Sequence, residues 1–77
     1  MNAVLIFNKG DFKKQMRLLG LTQEDMLEII YAQYGIELSR GNFSKVINGS
    51  VHWKLELAMA VSEILDVEVN ELFKLKK

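Results

Sequence analysis

Apolar positions recur at helical spacing through most of this chain. Phe12, Met16 and Leu19 stand at i, i+4 and i+7, so Asp11–Leu19 predicts a first helix with one apolar stripe. Asn8 is an equally good N-cap and offers an earlier start, and Gly20 closes the helix. Thr22 opens a second helix running to Tyr34, with Met26, Leu27, Ile30 and Tyr34 as its apolar positions and Gly35 as its stop. Asp25 stands three residues after Thr22, a capping box with a shorter acid than usual, so a weaker reciprocal bond is expected. Ser39–Ile47 reads as a third helix with Phe43, Val46 and Ile47 on one buried stripe. Leu38 and Phe43 are spaced as a hydrophobic staple, as are Leu21 and Met26 before them. Asn48-Gly49 supplies a left-handed end, and a loop follows through His52. A fourth helix is expected from about Trp53 to Leu65, with Leu57, Ala58, Val61, Ile64 and Leu65 facing inward. Asp66 begins a break, Val67–Phe73 supports a short fifth helix, and Lys74-Leu75-Lys76-Lys77 reads as a basic tail that frays.

One segment departs from this scheme. Ala3-Val4-Leu5-Ile6-Phe7 is apolar, uncharged and rich in β-branched residues, which reads as a short N-terminal strand. A lone strand leaves its backbone groups unpaired. It either packs on the helices as an extended arm or pairs with the same segment of a second molecule. The fold class expected is therefore all-α, five helices plus that short strand.

The chain has 77 residues, no proline and no cysteine. Nothing in it reads as a linker or repeat, so residues 1–77 are expected to form one domain. Without cysteine there is neither a disulfide framework nor a thiolate metal site. Nearly half the residues are apolar, enough for a packed core. No apolar run approaches the ~20 residues needed to span a bilayer. The N-terminus lacks the basic region and cleavage site of a signal peptide, which points to the cytoplasm.

Formal net charge is zero, but its distribution is uneven. From Leu38 to Leu55 there is no acidic residue, while Arg40, Lys45, His52 and Lys54 lie there. Lys9, Lys13, Lys14 and Arg17 form a second basic group, and the acids gather around the second helix and near the end. On the third helix, Arg40, Asn42, Ser44 and Lys45 are left facing water. These side chains can donate to base edges and phosphates, on an element narrow enough for a major groove. Two capped helices joined by a short turn, the second polar outside, are what a helix-turn-helix requires.

Other residues have plainer readings. Trp53 covers a core edge in preference to stacking on a base. His52 has no partner at ligand spacing, so no metal site is expected; its proton would make a phosphate contact pH-sensitive. Glu24 and Asp25 point to different sides and suit capping better than catalysis. Tyr31 and Tyr34 are expected in the core or an interface, and Met26 and Met59 as core gap-fillers. With no catalytic constellation, no Gly-rich phosphate loop and no metal cluster, an enzyme, a cofactor or a small-molecule substrate is not expected.

Gly20-Leu21-Thr22-Gln23-Glu24-Asp25-Met26, Phe43-Ser44-Lys45-Val46-Ile47-Asn48-Gly49, Ala60 through Leu65 and Val67-Glu68-Val69-Asn70-Glu71-Leu72-Phe73, in that order, resemble the lambda-repressor-like helix-turn-helix family (Cro-type, or XRE). The resemblance covers about Asp11 to Phe73. It implies a five-helix DNA-binding domain of the kind found in small phage or mobile-element repressors, acting on a double-stranded operator, commonly as a dimer. By position, Arg40, Gly41, Asn42, Ser44 and Lys45 become base-reading candidates. Gln23, Ser50, His52, Trp53 and Lys54 become phosphate-contact candidates. A homodimer would form through Ala3–Phe7 or helix five and would span half-sites ~34 Å apart. Two features depart from the family pattern. Thr22 and Ser39 are seventeen residues apart, which lengthens the second helix and the turn after it. Met16 and Ile47 stand where many members bury an Arg–Glu pair, an exchange that is often neutral or stabilising. The function expected is a sequence-specific transcriptional regulator. The alternative is a protein-interaction module on the same fold, such as an antirepressor that binds another regulator.

Overall fold

The computed structural model describes residues 3–76 of the chain. The element order is β1 (Val4–Phe7), α1 (Lys9–Leu19), α2 (Gln23–Tyr34), α3 (Arg40–Ile47), α4 (Leu55–Ile64), α5 (Val69–Leu72) and β2 (Phe73–Lys76). The protein is mostly helical, with one two-stranded antiparallel sheet.

Local caps explain most of the helix boundaries. Asn8 accepts from the Asp11 N–H at 3.1 Å, so α1 takes the earlier of its two starts. At α2 the capping box closes fully: Asp25 N–H donates to Thr22 Oγ1 at 3.1 Å and Thr22 N–H to Asp25 Oδ2 at 2.9 Å. The reciprocal bond is thus no longer than the first, contrary to the expectation from the shorter acid. Ser39 accepts from the Asn42 N–H at the start of α3. At its end Gly49, at φ 84°, lets Ser50 N–H reach Lys45 O and Gly49 N–H reach Val46 O, a Schellman closure that only a left-handed residue permits. The same closure ends α4, with Val67 N–H on Ser62 O and Asp66 N–H on Glu63 O. There the left-handed position is held by Asp66 at φ 57°, the one described residue other than glycine with positive φ.

Packing corrects the outer parts of the sequence reading. The tail does not fray within the described residues: Phe73–Lys76 is β2, paired with β1 in the register Val4–Lys76, Leu5–Leu75, Ile6–Lys74 and Phe7–Phe73. The N-terminal strand therefore finds its partner in its own chain, which neither expectation for Ala3–Phe7 included. Asn8 N–H continues the ladder onto Leu72 O at 2.7 Å. Lys77 lies outside the described residues. Helix four begins at Leu55, not Trp53, and helix five is shortened to Val69–Leu72.

Phe12, Met16, Met26, Ile30, Phe43, Val46, Ile47, Leu57, Ala58, Val61, Leu65, Leu72 and Phe73 form one buried cluster. Met16 and Ile47 both belong to it, so an apolar pair occupies the interior there. Leu19 and Met59 do not join it: both are exposed, against the expectation of an apolar stripe for one and a core gap-filler for the other, and Tyr31 is exposed as well, which leaves the core as the wrong one of its two expected places. Ile64 is half-buried. Tyr34 is half-buried too and donates from Oη to Glu63 Oε2 at 3.1 Å, tying α2 to α4. Phe7 is the keystone between sheet and helices. Its ring centroid lies 5.4 Å from that of Phe12, 4.6 Å from Trp53 and 5.1 Å from Phe73, contacts worth ~0.5–1.5 kcal/mol each beyond area burial.

Candidate nucleic-acid interface

Helix α3 is short, and its sequence divides it cleanly. Phe43, Val46 and Ile47 are buried. At about 3.6 residues per turn, the line opposite them carries Gly41, Lys45 and Asn48. Gly41, Lys45 and Asn48 are exposed, as are Arg40 and Asn42 on the flanks, while Ser44 is half-buried. The five base-reading candidates thus all sit on α3 outside the core. A Cβ added at Gly41 would meet nothing within 4 Å, so no contact inside the protein calls for glycine at that point of the ridge.

Each flank of α3 meets a different neighbour. On one side Arg40 donates from Nη1 to Glu24 Oε1 at 2.9 Å, across from the first turn of α2. Both side chains remain about 70% exposed. Further along, Lys9 Nζ donates to Asn48 Oδ1, and Asn48 Nδ2 to Ser44 Oγ at 3.5 Å. Lys9, at the start of α1, therefore stands at the C-terminal end of α3, 39 positions away in sequence. On the other side Asn42, His52 and Lys54 line a cleft of about 290 Å³ together with Val51, Leu38, Glu37 and Glu56.

The acid-free run Leu38–Leu55 is accordingly less isolated from carboxylates than its sequence suggests. Glu24 reaches one flank of α3, and Glu37 and Glu56 line the cleft on the other. Besides Arg40, the cations about the ridge include Lys45 on α3 itself, Lys9, bonded to Asn48, and Lys54 in the cleft. Sequence reasoning placed Lys9 in a basic group on helix one and gave it no role beside α3. It likewise gave Glu24 a capping role and no contact with Arg40. Neither relation has a local signal, because each joins residues on different helices.

Of the phosphate-contact candidates, Gln23 is half-buried at the first position of α2, next to Glu24. Ser50, His52 and Lys54 are exposed in the loop between α3 and α4. Trp53 turns its ring inward against Phe7 and Phe73. Its indole N–H is enclosed and has no hydrogen-bond partner, so a phosphate could meet Trp53 only through its backbone. This is the core-edge placement expected for it. Asp25 and Tyr34 have shifted acidities. Hydrogen bonds from the Thr22 backbone and hydroxyl hold Asp25 below its ordinary value. Desolvation and the bond to Glu63 push Tyr34 up.

Among the described residues no group of three or more His, Cys, Asp or Glu side chains is arranged to hold a metal ion. None of the helices is long and apolar enough to cross a membrane. Comparison with protein-family models, with curated proteins and with solved structures finds no match for this chain.

Proposed function

We propose that this protein is a sequence-specific DNA-binding regulator of the helix-turn-helix class, similar to the lambda-repressor-like family, that inserts α3 into a major groove. The observation that supports it best is the division of α3. Three apolar residues anchor the helix, and everything it turns outward is basic, amide, hydroxyl or glycine. Arg40 and Lys45 can pair with guanine O6 and N7, and Asn42 can pair bidentately with adenine. Ser50, His52 and Lys54 on one side and Gln23 and Lys9 on the other would hold the flanking phosphates. Such contacts set register and orientation while the ridge reads sequence. The partner would be a double-stranded operator, and no catalytic step or cofactor is involved.

A selection from random and genomic duplexes at ~50 and ~200 mM salt tests this directly. One sequence should be enriched, its binding should weaken log-linearly with salt, and Arg40→Ala/Lys45→Ala should abolish it. Absence of enrichment at either salt, from protein shown to be folded by circular dichroism, rules the reading out.

A second reading, a module that binds another protein, draws support from Glu24, Glu37 and Glu56 around α3. Carboxylates there oppose a polyanion and suit a basic or mixed-charge partner. Attraction of such a partner to these carboxylates would also weaken with salt, so what separates the two readings is the selection itself: this one yields no enriched duplex at either salt.

A further inference from the structure

The β1–β2 ribbon has two unlike edges. Around the pairs Val4–Lys76 and Ile6–Lys74, antiparallel alternation makes these residues exchange the ladder hydrogen bonds, in phase with the Asn8–Leu72 bond. Leu5 and Phe7 therefore direct their backbone N–H and C=O away from β2, toward an edge that no backbone group of the described residues reaches. Ala3, Val4, Leu5 and Ile6 are all exposed. Leu75, at 65%, and Leu55, at 71%, stand out from the same end of the molecule. Leu5, Trp53, Leu55, Ala58, Val69 and Phe73 also line a shallow, almost wholly apolar groove beneath the ribbon, with Lys54 at its rim.

Charge distinguishes the edges. The β2 strand carries Lys74 and Lys76, the kind of side chain that guards an edge against further pairing. The β1 segment Ala3–Phe7 carries no charge and no polar side chain. A β2 edge facing its own copy would set lysines against lysines, whereas a β1 edge facing its own copy meets only apolar side chains. A two-stranded ribbon is marginal by itself, and three or more strands make a robust sheet.

We propose that the free edge of β1 pairs antiparallel with β1 of a second copy of this chain, giving a four-stranded sheet across a two-fold axis. The contact is isologous, as a closed dimer requires. The outward groups allow only registers that pair Ala3, Leu5 and Phe7 among themselves, and overlapping the whole of Ala3–Phe7 with its copy selects one of these. Leu5 lies on the axis opposite Leu5 of the second copy, Ala3 opposite Phe7, and Val4 opposite Ile6. On one face Val4 and Ile6 of both copies then form a central apolar block flanked by the lysines of the two β2 strands. On the other face the two Leu5 side chains meet beside the grooves. The pairing rests on the ribbon alone and stands whether or not α3 binds DNA.

The test combines sedimentation with amide exchange. Wild-type protein should double its mass as concentration rises, and its melting temperature should rise with concentration. The Leu5 amide, free in one copy, should become protected over the same range, while the Ile6 amide, already bonded to β2, is protected throughout. Leu5→Pro removes only an outward donor, a place where an edge strand tolerates proline, and should leave the single-chain mass at every concentration with an unchanged circular dichroism spectrum. Leu5→Lys, which puts two like charges on the axis, should do the same without touching the backbone. A wild-type protein that keeps the single-chain mass at its highest soluble concentration overturns the proposal. So does a dimer in which the Leu5 amide stays unprotected, or one that survives in the folded Leu5→Lys variant.

Discussion

Arg40, the first residue of α3, is held by Glu24 of α2 at 2.9 Å. An ion pair this exposed contributes only ~0–1 kcal/mol to stability, so its consequence lies in where it points the guanidinium. One amino group is engaged, and the remaining donors of the fork face out from the protein. If α3 enters a groove as proposed, Glu24 also sets a negative charge beside the bound polyanion. Glu24→Gln should therefore leave the melting temperature nearly unchanged while tightening binding to arbitrary duplex DNA several-fold at ~50 mM salt, an effect that fades at ~200 mM. If Arg40 reads a base as proposed, preference at that base should fall in the same variant. Filter binding to matched and mismatched duplexes measures both; unchanged discrimination would mean that Glu24 does not orient Arg40.

Gly41 lies on the outer ridge of α3 with open space around its Cα. An exposed helical glycine costs roughly 0.5–1 kcal/mol relative to alanine. Gly41→Ala should accordingly raise the urea midpoint by about that free energy. If α3 approaches a groove closely at this point, the added methyl should weaken operator binding despite the greater stability. A variant both more stable and equally tight would show that the ridge makes no close approach there.

Asp66 takes the left-handed position after α4 that glycine usually occupies. That conformation costs an ordinary residue ~1–2 kcal/mol, partly offset by the extra chain entropy of glycine in the unfolded state. Asp66→Gly should raise stability by up to ~1 kcal/mol, whereas Asp66→Val should lower it, since a β-branched residue is a genuine outlier there. Thermal melts of the three proteins decide it.

The capping box of α2 links stability to pH. Asp25 is held below its ordinary value of 3.8 chiefly by the Thr22 backbone N–H, with the Thr22 hydroxyl adding to it. Its contribution is therefore complete above that value and disappears as pH falls through the lower, folded value. Wild type should outlast Asp25→Asn in urea at neutral pH, and the two should converge toward the acid end. A gap that stays constant down to the lowest pH at which both fold would mean that ionised Asp25 adds nothing beyond a neutral cap.

Local sequence is enough to set the first three helices and their ends. Asn8, Thr22 and Ser39 each cap through a bond spanning three residues, and Gly20, Gly35 and Gly49 end helices by a conformation of their own backbone. Such interactions are complete within a few residues, so they are legible without knowledge of the rest of the chain. The buried stripe of α3 was legible for the same reason, because a helical period sorts Phe43, Val46 and Ile47 from their neighbours wherever the core lies. Tertiary structure alone decided the remainder. Val4 meets Lys76 from the opposite end of the chain, and an apolar strand does not reveal which distant segment will complete its ladder. A tail rich in lysine reads as solvated until Phe73 and Leu75 are seen to share a face with Leu5 and Phe7. Leu19 and Met59 carry the spacing or composition of core residues, yet the neighbouring elements leave both uncovered. The approach of Glu24 to Arg40 and of Lys9 to Asn48 follows from how three helices pack, since local propensity sets a helix's axis and faces but not what is brought against them.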